Sequence, residues 1–118
     1  MYNSSFYPTP PEVAEKMLAK VSKLYERSIL EPSAGKGDLA DAAVGRLDRY
    51  YNRCRERVHC IEIEPELQAA IRGKGYPLVG TDFLTFWPDE KYDLILMNPP
   101  FANGEGHLLH AWEILDHG

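Results

Sequence analysis

The chain is short of cysteine, of basic charge and of long apolar runs, and each shortage excludes something. Cys54 and Cys60 are the only two cysteines among 118 residues. They are too few and too plainly spaced for a disulfide framework or a cysteine zinc site, so a reducing, cytoplasmic setting is expected. No apolar stretch approaches the roughly 18–20 residues that would span a bilayer, which argues against a membrane partner. Met1-Tyr2-Asn3-Ser4-Ser5 lacks the basic and apolar regions of a secretory signal. Thirteen Lys and Arg face eighteen Asp and Glu, a net charge of −5. A free-standing nucleic-acid binder normally carries a basic face, so a nucleic-acid substrate would need much of its grip from elsewhere. What remains is the composition of an ordinary globular protein, 44% hydrophobic and 26% charged, with one domain as the ceiling for this length.

Repeats and low-complexity tracts are absent, and helix and strand patterns alternate. Thr9-Pro10-Pro11-Glu12 predicts a helix start with a threonine cap, proline at the first helical position and a capping-box glutamate. Val13, Met17, Leu18, Val21 and Leu24 continue the helical spacing to about Tyr25. A short strand over 28–31 runs into Pro32-Ser33-Ala34-Gly35-Lys36-Gly37. Asp38 then caps a second helix with Leu39, Ala43, Leu47 and Tyr50 on its apolar stripe. The basic stretch 53–57 reads as a solvated connection. A second strand over 58–63 stops at Glu64-Pro65, and a third helix follows with Leu67, Ala70 and Ile71 inward, ended by Gly73 and Gly75. A third strand over 77–80, a fourth over 94–97 and a last helix over about 106–115 complete the pattern. Strands separated by helices of this length require parallel crossovers, so the fold class is α/β with a doubly wound parallel sheet.

In such sheets ligands bind beyond the carboxyl ends of the strands, and four unusual segments fall there. Gly35-x-Gly37 permits close backbone approach, or is simply a tight strand-to-helix turn. It matches neither a Walker loop nor the three-glycine dinucleotide fingerprint. Glu62 is either an exposed strand-end acid or a partner for two ribose hydroxyls. Asp82 either caps its turn or accepts from an adenine amino group. His107 and His110, three apart on one helix, lack a carboxylate or cysteine pair, so no metal is assigned.

The fourth segment, Asn98-Pro99-Pro100-Phe101, follows the apolar run 92–97. Two prolines stiffen it and remove two backbone donors. One amide, free carbonyls and one aromatic face at a fixed point can grip a planar ring bearing an amine, as catalysis at a nucleobase exocyclic amine requires. The plain alternative is a proline-rich loop that stops the strand.

Taken together, the segments resemble the class I S-adenosylmethionine-dependent methyltransferases, specifically the gamma-type N6-adenine DNA methyltransferases. The resemblance covers nearly the whole chain in family order. It implies a Rossmann-like sheet of strand order 3-2-1-4 and S-adenosylmethionine as cofactor. Tyr7-Pro8-Thr9-Pro10-Pro11-Glu12 is similar to the segment that reaches the cofactor's methionine carboxylate. Glu31, Pro32, Ser33, Ala34, Gly35 and Gly37 resemble the cofactor loop. Glu62 stands in the ribose-binding place, Ile63 against the adenine ring, and Asp82-Phe83 in the segment that recognises the adenine amine. Asn98, Pro99, Pro100 and Phe101 resemble the catalytic tetrapeptide. By that likeness the Asn98 side-chain oxygen and the Pro99 carbonyl each accept one hydrogen of the target amine, aiming its lone pair at the sulfonium methyl. Phe101 stacks on a base flipped from the DNA duplex, a contact of about 1–3 kcal/mol.

The family domain continues with a fifth strand, an antiparallel terminal pair and a target-recognition region. Residues 1–118 are therefore expected to be a single partial domain, with 1–27 as the amino-terminal helix and cofactor-gating segment and 28–118 as the cofactor-binding units and tetrapeptide loop. Such a piece binds cofactor weakly or is completed by a second polypeptide or by a copy of itself along residues 93–98. The alternative is a repurposed, non-enzymatic protein-interaction module, for example an inhibitor of a nucleic-acid enzyme.

Overall fold

The computed structural model describes residues 10–47, 54–97 and 104–117. Four parallel strands, β1 (Ile29–Glu31), β2 (Val58–Ile61), β3 (Leu78–Gly80) and β4 (Leu94–Ile95), lie in the order β3-β2-β1-β4. Four helices, α1 (Pro11–Ala19), α2 (Asp38–Leu47), α3 (Pro65–Gly73) and α4 (Gly104–Ile114), accompany them. This is the expected α/β architecture and strand order. No helix among the described residues is long and apolar enough to cross a membrane.

Side chains alternate across the strands with period two, and each face of the sheet has its own core. Ile29, Val58, Cys60 and Leu96 join Leu18, Leu39, Ala43, Leu47 and Ile71 on one face. Leu30 and Ile61 join Phe83, Tyr92, Ala111 and Ile114 on the other. Register is pinned at the strand starts, where the Ser28 N–H donates to Asp93 Oδ2 at 3.0 Å and the Asp93 N–H to Ser28 Oγ at 2.9 Å. In that register Leu30 lies level with Ile95, and on the other side of β1 Glu31 lies level with Cys60. The carboxyl ends of the strands therefore share one rim. β4 is the outer strand of the described sheet.

The first helix departs from the sequence expectation at both ends. Its N-cap is Pro10, extended at φ −60° and ψ 145°, with Pro11 in the first turn. A residue preceding proline is excluded from the helical region, so the helix starts one residue later than a threonine cap would allow, and the capping-box spacing to Glu12 is lost. Thr9 itself lies outside the described residues, as does Tyr50. Inward positions follow the shift: Ala14 and Leu18 are buried while Val13 is 45% exposed. The helix stops at Ala19, and Lys23 takes the left-handed conformation at φ 52°. Val21 and Ser22 are weak helix formers. Arg27 binds the Ser22 carbonyl at 3.2 Å, giving that backbone a partner outside the helix. Arg57 in turn donates to the carbonyls of Tyr25 and Arg27, so this arginine of the basic connection braces the entry to β1.

Leu30 is fully buried at the centre of the sheet. We expect Leu30→Ala to cost about 2–5 kcal/mol, read as a lowered urea midpoint with an unchanged slope; a loss under about 0.5 kcal/mol would contradict this core assignment.

Candidate functional site

The rim beyond β1 and β2 is built from backbone donors converging on a carboxylate. Beyond β1 the chain passes Pro32, which is fully buried, and half-buried Ser33, then turns through Gly35 at φ 58° and Gly37 at φ 91°. Ala34 donates its N–H to the Ile61 carbonyl at 2.9 Å, which ties the loop to the last residue of β2. One residue on, the Gly35 N–H donates to Glu62 Oε1 at 2.7 Å. Glu62 Oε2 accepts the Glu64 N–H at 2.9 Å. The side-chain amide of Gln68 holds the Glu62 carbonyl at 2.8 Å, fixing the backbone that carries the acid. Glu62 is only 6% exposed. The plain reading of an exposed strand-end acid is therefore corrected: two short N–H contacts allow the carboxylate to be buried.

Gly37 needs its left-handed backbone and its missing side chain. A Cβ there would stand 3.1 Å from Ile71 Cδ1 and 3.5 Å from Tyr76 Cε2. Its N–H donates to the Ala34 carbonyl at 2.8 Å, and its own carbonyl accepts the Asp41 N–H at 2.7 Å, so the loop leads directly into α2.

Glu31 is the second buried acid, 3% exposed, with Oε2 accepting the Ala40 N–H at 2.9 Å. Burial pushes its carboxyl well above the ordinary range; the Ala40 hydrogen bond opposes this, and the neighbouring Asp38, Asp41 and Glu62 add to it.

Past β2, Ile63 is 58% exposed and offers an apolar surface beside Glu62. Beyond β3, Asp82 is exposed and its Oδ1 accepts the Leu84 N–H at 3.1 Å. Phe83 is buried in the second core, its ring 4.8 Å from that of His110 and 5.7 Å from that of His107. His110 Nε2 donates to the Phe86 carbonyl at 2.7 Å, so the two histidines of α4 pack on the turn that carries Asp82. Among the described residues no cluster of three His, Cys, Asp or Glu side chains could hold a metal ion.

The structure thus brings Glu31, Gly35, Gly37, Glu62 and Ile63 to one rim, with Asp82 following β3 at the same rim. Tyr7, Thr9, Asn98, Pro99, Pro100 and Phe101 lie outside the described residues. Sequence reasoning missed Lys74, whose Nζ donates to the Lys36 carbonyl at 2.6 Å and to Asp41 Oδ2 at 2.7 Å. Nothing in helical periodicity distinguishes it from any lysine at a helix end. An open cleft of about 650 Å³ borders the loop on its α1 side, lined by Pro10, Pro11, Ala14, Lys36, Asp38 and Asp41 among others.

No protein-family model matches the chain. It is 28% identical over 99 residues to the type II methyltransferase M.CvrRI of Paramecium bursaria Chlorella virus XZ-6E, across 79% of this chain and 23% of that protein. Among solved structures, a candidate RNA methyltransferase, PH1948 from Pyrococcus horikoshii, superposes with a TM-score of 0.71 at 26% identity, over 93% of this chain and 56% of that one. The glycopeptide N-methyltransferase MtfA, solved with S-adenosyl-L-homocysteine, gives a TM-score of 0.68 at 20% identity, over 95% of this chain and 50% of that one. The same enzyme is also solved with sinefungin. The chain has the fold of the S-adenosylmethionine-dependent methyltransferases. It spans under a quarter of the curated relative's length and about half of these solved chains.

The buried Glu31 generates a pH prediction. Its carboxyl is raised in the folded state, so the folded chain holds that proton to higher pH than the unfolded chain does. Its contribution is most favourable below the unfolded value of about 4.3 and declines as pH rises toward the folded value. We expect the melting temperature of the wild type to fall relative to Glu31→Gln as pH is raised from 4 upward. Parallel pH curves for the two proteins would contradict the assignment.

Proposed function

We propose that this chain binds S-adenosylmethionine on the shared rim and belongs to a catalyst that methylates N6 of adenine in DNA. The observation that carries the cofactor reading is the Glu62–Gly35 contact of 2.7 Å, which joins a strand-end carboxylate to a left-handed glycine turn. The donor set fits the cofactor. Each Glu62 oxygen accepts one backbone N–H and keeps lone-pair capacity for a ribose hydroxyl. Ile63 supplies an apolar wall for the adenine ring, and Asp82 an acceptor for its amine. The cleft between Pro10–Pro11 and Lys36–Asp38 suits the amino-acid end, with Lys36 for its carboxylate and the acidic lining for its ammonium. Ligand-bound neighbours of the same fold support this cofactor. When bound, S-adenosylmethionine supplies an electrophilic methyl group on a sulfonium centre.

The adenine and DNA part of the reading rests on Asn98-Pro99-Pro100-Phe101 and is supported by the type II methyltransferase relative. Asn98 and the Pro99 carbonyl accept the two amine hydrogens, which turns the nitrogen lone pair out of conjugation with the ring. Phe101 covers the face of the extruded base. Orientation and hydrogen bonding replace a strong base at the moment of transfer, and the methylated nitrogen, then cationic, gives up one of its hydrogens as a proton to solvent.

Calorimetry with millimolar S-adenosylmethionine is expected to give a binding isotherm for the wild type and for Asn98→Ala. Methyl transfer to adenine-containing DNA should fall by about 100-fold or more in Asn98→Ala. An absence of heat would remove the cofactor reading; undiminished transfer by the variant would remove the role of Asn98.

The same reading includes a partner along the outer edge of β4, either a completing polypeptide or a second copy. Leu108, Leu109 and Trp112 of α4 are 55%, 61% and 65% exposed, a contiguous apolar face at helical spacing. Light scattering should report a dimer that Leu109→Lys, on the exposed face of α4, dissolves. A monomer at high concentration would leave only the second polypeptide.

A further inference from the structure

The glycine loop is gripped from behind by the corner between α3 and β3. Lys74 is the C-cap residue of α3, and Gly75 at φ 92° turns the chain so that Tyr76 comes back beneath the loop. Tyr76 is 3% exposed, and its hydroxyl donates to Asp41 Oδ1 at 2.6 Å. Lys74 Nζ takes Asp41 Oδ2 at 2.7 Å and the Lys36 carbonyl at 2.6 Å. Both oxygens of Asp41 are thus engaged, and Asp41 sits in the first turn of α2. The peptide joining Lys36 to Gly37 is held at both ends: its carbonyl by the Lys74 ammonium, its N–H by the Ala34 carbonyl at 2.8 Å. Nζ stands 3.7 Å from where a Gly37 Cβ would be, an ordinary contact distance, so it is the backbone at φ 91° and the 3.1 Å approach of Ile71 Cδ1 that favour glycine here.

A half-exposed Lys–Asp pair alone contributes little to stability. The geometry gives the ammonium a different role, because a charged donor on a loop carbonyl fixes the orientation of that peptide plane. Glu62 fixes Gly35 from the β2 side, and Lys74 fixes Lys36–Gly37 from the α3 side. We propose that Lys74, held by Asp41 and Tyr76, is a positioning residue that sets the glycine loop for the amino-acid end of the cofactor. This rests on the cofactor reading above, and the loop's shape can be tested apart from it.

The test compares wild type, Lys74→Met, Lys74→Arg and Tyr76→Phe by two measurements. The first is amide hydrogen exchange at Gly37 without ligand. The second is calorimetry with S-adenosylmethionine and with adenosine, which lacks the amino-acid end. Lys74→Met should speed Gly37 exchange and weaken S-adenosylmethionine by about tenfold, while adenosine changes by less than about twofold. Lys74→Arg should recover part of both effects, and Tyr76→Phe should show a smaller loss of the same kind. Unchanged Gly37 exchange in Lys74→Met overturns the proposal, as does an equal loss for both ligands, which would mean that Lys74 only supports the fold. Should the wild type bind neither ligand, the cofactor reading fails, and the exchange result still decides the role of Lys74.

Discussion

A carboxylate taken out of water must be met by donors, and in this chain that requirement shapes the rim of the sheet. Glu62 is buried directly after β2 and accepts the Gly35 and Glu64 N–H groups at 2.7 and 2.9 Å. Neither donor is free to move: Gly35 belongs to a loop tied to Ile61 through Ala34, and Glu64 precedes Pro65 at the start of α3. An uncompensated buried carboxylate would cost several kcal/mol, so the loop after β1 and the end of β2 order together. The parallel register makes this possible, since Glu31 and Cys60 lie level and the two chains leave the sheet side by side.

Around that junction the molecule gathers acidic side chains and meets them with backbone donors. Burial first, and then the neighbouring Asp38, Asp41 and Glu62, hold the Glu31 carboxyl well above its ordinary range against the opposing Ala40 hydrogen bond. Three N–H groups of the glycine loop are already spent, that of Ala34 on the Ile61 carbonyl, that of Gly35 on Glu62 and that of Gly37 on the Ala34 carbonyl. A site of this composition favours a ligand bringing hydroxyls and positive charge over one bringing phosphates, which glycine loops with open N–H groups cradle. That distinction separates the pocket chemically from the dinucleotide and nucleotide-triphosphate sites that other parallel sheets carry.

Much of this was legible in the sequence, for identifiable reasons. The alternation of short apolar runs with helical spacing fixes α/β topology, and Pro65 and Gly37 mark helix starts and turns by backbone sterics. Helix α1 was misread where two local signals competed. Thr9 with Glu12 has capping-box spacing, yet Pro11 forces Pro10 out of the helical region, and the buried stripe moves from Val13 to Ala14. The sequence pattern extends the second strand to residue 63, whereas β2 ends at Ile61 with Glu62 directly after it, and the burial of Glu62 depends on a contact 27 residues distant in the chain, which no local pattern encodes. Lys74 was invisible for the same reason: its partners Lys36 and Asp41 are more than 30 residues away. The sequence admits two readings of Asp82, and its hydrogen bond to Leu84 agrees with the turn-capping one while the side chain stays accessible.

The claim on which the rest depends is that the Gly35–Glu62 junction is a binding rim and not merely a well-packed corner. Backbone amide shifts recorded during titration with S-adenosyl-L-homocysteine address it most directly. The expected result is saturable displacement of the Gly35, Ile63 and Asp82 signals, with those at the opposite ends of the strands, such as Ser28 and Asp93, unmoved. Saturable shifts that bypass Gly35 and Ile63, or that centre on the strand starts, would contradict the account.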